Sequence, residues 1–87
     1  MADGRPVRQL ITNPNQLGEI LRGRRKARRI PQQALAAKLG ISQSRLSTLE
    51  SDTAPLTLDR LLALAKLLGL ELVLQDKTDK PMTKAEW

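Results

Sequence analysis

Cysteine, histidine, phenylalanine and tyrosine are all missing from this 87-residue sequence, and its single aromatic residue is Trp87. Each absence closes something off. Without cysteine there is no disulfide and no thiolate for metal binding or covalent catalysis, which suits a reducing compartment; the chain reads as cytoplasmic. Without histidine there is no imidazole for proton transfer or metal ligation. The nine Asp and Glu are scattered over loops and helix faces, so no acid/base pair or metal cluster forms in the sequence. Neither an enzyme, nor a metal site, nor a cofactor is expected. No apolar run is long enough to span a bilayer, and the first residues lack the apolar stretch of a secretory leader.

What is abundant is positive charge. Fifteen Lys and Arg leave a formal net charge of +6, which calls for a polyanionic partner. A membrane surface is the weaker choice, because Trp and Phe anchors are missing from every apolar face. A domain this small buries only about 60% of its unfolded surface. Its core must come from Leu, Ile, Val and Ala, and self-association is the remaining common source of more.

Residues 1–12, with Gly4 and Pro6, read as an N-terminal arm with an extended piece near Val7 to Ile11. Asn13-Pro14-Asn15-Gln16 then starts a helix: Asn13 caps, Pro14 suits the first position and Gln16 closes a capping box. Leu17, Ile20 and Leu21 mark its buried face, and it runs to about Ala27. Near its end stand Arg22, Arg24, Arg25, Lys26, Arg28 and Arg29, denser than solubility requires and suited to phosphates. Pro31 opens a second helix, "PQQALAAKL", with Ala34, Leu35 and Leu39 inward. Gly40 ends it and Ser42 caps a third almost at once, which makes a helix-turn-helix unit. Thr57 caps a fourth helix whose Leu58, Leu61, Leu62, Ala65 and Leu68 form a wide apolar stripe, stopped by Gly69.

"LELVLQ" follows, alternating as a strand does, although one strand makes no sheet. Its partner has to be the N-terminal arm, a second copy, or another chain. Residues 70–76 are therefore expected as a strand and residues 77–87 as a flexible polar tail.

The third helix, "QSRLSTLE", is unusual on its polar side. At 100° per residue, Leu46 and Leu49 point inward beside Ile41, while Gln43, Ser44, Ser47 and Thr48 share the opposite arc, joined by Ser51 if the helix reaches it. Arg45 and Glu50 lie at the edges. Small uncharged hydrogen-bonders suit the major groove of DNA, where Gln pairs bidentately with adenine and Ser or Thr serve either as donor or acceptor.

"QQALAAKLGISQSRLSTLE" resembles the phage-repressor and Cro (XRE) helix-turn-helix family, over roughly residues 14–69. The resemblance implies an all-α, lambda-repressor-like domain over residues 13–69 that binds double-stranded DNA. It implies that Gln32 touches a phosphate and supports Gln43, and that Ser44, Ser47 and Thr48 read bases, with Gln33 and Ser42 reading at the groove edge. It also pairs Arg25 with Glu50 as a structural ion pair. Phosphate contacts are then expected from Gln32, Arg24, Lys26, Arg28, Arg29, Lys38 and Arg45. Two positions depart from the pattern. Pro31 replaces the usual capping Ser or Thr, and Arg29 stands where a turn glycine is common.

Three further stretches, "NPNQLGEIL", "LGLELVLQDK" and "AEW", are similar to antitoxins of the HipBA type, which repress their own operon and bind a Ser/Thr kinase-like toxin, HipA. That likeness implies one C-terminal β-strand from each subunit, here Leu70, Leu72, Val73 and Leu74, pairing across a homodimer on an inverted-repeat operator. It makes Trp87 a toxin contact. A free-standing repressor of the same family, with no toxin, is the alternative.

Overall fold

The structure is a computed structural model, and it describes residues 8–77. Trp87, residues 1–7 of the arm and residues 78–87 of the tail lie outside the described residues. Four helices appear in order: α1 (Pro14–Ala27), α2 (Gln32–Leu39), α3 (Gln43–Ser51) and α4 (Leu58–Leu68).

The helix starts follow the caps legible in the sequence. Asn13 accepts from the backbone N–H groups of Asn15 and Gln16 while Gln16 reaches back to the Asn13 N–H, so the expected capping box forms. Ser42 caps α3 through the Arg45 N–H, and Thr57 caps α4 through the Arg60 N–H. Pro31 leaves α2 with no side-chain cap.

The ends of α1, α2 and α4 share one device. After α2 and α4 a left-handed residue, Gly40 or Gly69 with φ of 72°, turns the chain, and the next residue donates back five positions. The bonds run from the Ile41 N–H to the Ala36 carbonyl at 3.0 Å and from the Leu70 N–H to the Ala65 carbonyl at 2.7 Å. The α1 end has the same pair of bonds, from Ile30 to Arg25 and from Arg29 to Lys26, yet its left-handed residue is Arg29, at φ 59°. Arg29 therefore does a glycine's work. In all three turns the apolar residue that follows, Ile30, Ile41 or Leu70, packs on the core.

That core is Leu21, Leu35, Ala36, Leu46, Leu64 and Leu68. Two expected faces are rotated. In α2 Ala34 is exposed and Ala36 is buried in its place, because Ala34, Ala36 and Ala37 carry no contrast to fix the rotation. In α4 Leu64, Ala65 and Leu68 are buried, whereas Leu58 and Leu62 remain 64% and 47% exposed. Leucine surrounds most of α4, so the stripe alone did not choose a side. In α1 Leu21 is buried as expected, Leu17 and Ile20 are only half-buried, and Gly18 and Arg25 face in as well.

From Leu70 to Lys77 the described chain has neither helix nor ladder, so no strand is present among the described residues. The reason is physical: a single extended segment makes no ladder without a partner strand. Leu72, Val73 and Leu74 are exposed, and Arg8 donates to the Gln75 side chain at 3.5 Å.

Candidate nucleic-acid interface

α3 rests on the rest of the domain through Leu46 and Leu49, both buried, and through Glu50, which is buried despite its charge. Glu50 meets Arg25 in a two-pronged ion pair: Arg25 Nε donates to Oε2 at 2.7 Å and Nη2 to Oε1 at 3.1 Å. Arg25 Nη1 also donates to the Ile30 carbonyl at 3.0 Å. The side chains are 9% and 4% exposed, so each charge depends on the other.

The polar network continues outward from this pair. Gln32 Nε2 donates to Glu50 Oε1 at 3.0 Å, and Gln43 Nε2 donates to Gln32 Oε1 at 3.4 Å. A buried charge at the junction of α1, α2 and α3 is thus linked, through one glutamine, to an exposed glutamine at the start of α3. Such chains restrict the rotamers of the outermost member before any partner arrives.

Gln43, Ser44, Ser47 and Thr48 are all exposed, and with Gln32 they line one open concavity of about 510 Å³. Thr48 Oγ1 donates to the Ser44 carbonyl at 3.0 Å, which leaves its oxygen lone pairs and methyl outward. Ser42 lies beside this group, with its hydroxyl 3.4 Å from that of Ser44. Ser51 is the last residue of α3 and donates to the Ser47 carbonyl at 3.1 Å. Gln33 is exposed on the first turn of α2 but does not line the concavity.

The cations divide. Lys26 and Arg29 are exposed around the α1–α2 turn, Lys38 is exposed in the last turn of α2, and Arg45 is exposed on α3. Arg24 and Arg28 are placed elsewhere. Arg24 Nε donates to the Leu68 carbonyl at 3.4 Å, and the Arg28 guanidinium lies about 3 Å from where a Cβ on Gly69 would stand. Both therefore sit at the C-terminal end of α4, where carbonyls and the helix dipole favour a cation. The density of the basic run gave no hint that two of its members serve α4.

A family model described as helix-turn-helix matches residues 21–75, more than half of the chain. The chain belongs to the helix-turn-helix family. It is a DNA-binding regulator of the phage-repressor and Cro (XRE) type, and α2 and α3 are its helix-turn-helix unit. None of the curated proteins matches the chain significantly. Among the described residues no helix is long and apolar enough to cross a membrane.

In a helix-turn-helix protein the second helix of the unit, here α3, is the recognition helix. Two residues that position α3 were not legible as functional in the sequence: Gly18, buried inside α1, and Thr53, buried just beyond α3. A glycine between Leu17 and Glu19 in a helix interior costs about 1 kcal/mol relative to alanine, and that cost was the available signal.

Proposed function

We propose that this helix-turn-helix protein is a sequence-specific transcriptional repressor whose α3 enters the major groove of an inverted-repeat operator. The observation that carries the reading is the convergence of Gln32, Gln43, Ser44, Ser47 and Thr48 around one open concavity on a chain of net charge +6. In this reading Gln43, Ser44, Ser47 and Thr48 contact base edges, with Ser42 and Gln33 at the margins. Gln32, Lys26, Arg29, Lys38 and Arg45 face phosphates. The first-turn amides of α2, which lack a side-chain cap, are completed by a phosphate oxygen. Arg24 and Arg28, which also approach the C-terminal end of α4, complete the phosphate-facing set.

The reading extends to an antitoxin of the HipBA type, acting in the cytoplasm as a homodimer. It represses its own operon and holds a HipA-like kinase toxin through Trp87. The stretches "NPNQLGEIL", "LGLELVLQDK" and "AEW" support it, and so do the exposed apolar side chains of Leu72, Val73 and Leu74, which a second copy would cover. A free-standing repressor is the second reading, supported as well by the family match over residues 21–75. A kinase-like protein retained by the full chain and released on deleting Trp87 separates the two.

Base reading is tested with Gln43→Ala on the preferred duplex and on random duplex. Losing one bidentate pair should lower the preference between them by about tenfold, with little change on random DNA. Equal losses on both would remove Gln43 from base reading.

A further inference from the structure

Where α1 crosses the C-terminal end of α3, the two helices meet backbone to backbone. A Cβ on Gly18 would overlap the Glu50 carbonyl oxygen, reach the Glu50 carbonyl carbon at 3.2 Å and touch Thr53 Cγ2 at 3.4 Å. No side chain stands between them that could move aside. Thr53, only 7% exposed, ties the same corner from the other side by donating its hydroxyl to the Pro14 carbonyl at 2.8 Å. The peptide gripped here belongs to Glu50, the residue whose carboxylate holds Arg25 and Gln32 and, through Gln32, Gln43.

We infer that Gly18 and Thr53 are positioning residues for DNA discrimination: they fix the height and tilt of α3 against α1, and thereby where Gln43, Ser44, Ser47 and Thr48 meet base edges. The inference rests on the base-reading role proposed for α3. Any side chain at position 18 has one outlet, because the obstructing atom is a carbonyl oxygen of the α3 backbone. It pushes the C-terminal end of α3 away from α1 and swings its outer face. Hydrogen bonds to base edges tolerate little displacement. Phosphate attraction, set by charges on flexible side chains, tolerates far more.

The test uses the full chain and the duplex that it enriches from a random-sequence pool, with random duplex as the reference. Three variants are compared at a temperature where circular dichroism shows each folded: Gly18→Ala, Thr53→Val and Gln43→Ala. Gly18→Ala should lower the preference for the enriched duplex by about tenfold, while its affinity for random duplex and its salt dependence stay those of the parent. Thr53→Val keeps the volume and loses the bond to Pro14, so it should lower the preference in the same direction by a smaller factor. Thr53→Val also decides the matter if Gly18→Ala does not fold. A folded Gly18→Ala, or failing that Thr53→Val, with undiminished preference overturns the inference. If Gln43→Ala loses preference in that same experiment, the base-reading role survives; if Gln43→Ala keeps it too, that role falls as well.

Discussion

Arg29 shows how a single residue can carry two opposed demands. Its left-handed φ of 59° completes the turn after α1 in the way Gly40 and Gly69 complete theirs. A residue with a Cβ pays roughly 1–2 kcal/mol for that conformation. The exposed guanidinium, three residues before Gln32, is the return on it in the proposed function. Arg29→Gly should therefore raise unfolding stability by about 1 kcal/mol and weaken binding to every duplex alike, with a shallower salt dependence. Chemical denaturation and a salt titration of affinity measure the two halves. A variant that is less stable, or that binds as tightly as the parent, contradicts the assignment.

At the scale of the elements, three helices are locked by one ion pair. Arg25 comes from α1, Glu50 from α3, and Gln32 of α2 completes the junction. Glu50→Ala strands a buried guanidinium and frees Gln32, and the expected loss is about 3–5 kcal/mol, measured by denaturant unfolding. A loss under about 1 kcal/mol, the value of an exposed pair, would show that the junction is not needed. Much of this layer was legible in the sequence. Caps at Asn13, Ser42 and Thr57 and the stops at Gly40 and Gly69 are local chemistry, and the structure shows all five. Helix rotation was less legible. Ala36 rather than Ala34, and Leu64 rather than Leu62, face inward because runs of similar apolar residues leave the choice to tertiary packing. The outward arc of α3 was legible because Leu46 and Leu49 contrast sharply with their polar neighbours. The surroundings of two cations were not legible for the opposite reason: Arg24 and Arg28 look like the rest of their run, and only the position of α4 shows that they approach its C-terminal end.

For the whole molecule, size and surface point the same way. Among the described residues eight apolar side chains are buried, the six of the core with Leu49 and Ala65, while seven large apolar residues stay exposed, including Leu58 and Leu62 on α4 and Leu72, Val73 and Leu74 beyond it. Among the described residues the segment after Gly69 finds no ladder; in the proposed dimer a second copy supplies its partner. Leu72→Glu places like charges face to face across that seam. Sedimentation should show the parent as a dimer and this variant shifted to monomer, with preference for an inverted repeat over a single half-site lost together with the dimer. A variant that remains dimeric would move the seam away from residues 70–76.

The most direct measurement is enrichment of duplexes from a random-sequence pool by the full chain, repeated with Gln43, Ser44, Ser47 and Thr48 all changed to Ala. The parent should enrich an inverted repeat with half-sites about ten base pairs apart, centre to centre, and the fourfold variant, still folded and still bound to DNA, should enrich nothing in common with it. Recovery of the same repeat by both proteins, or of no sequence by the parent, would contradict the account.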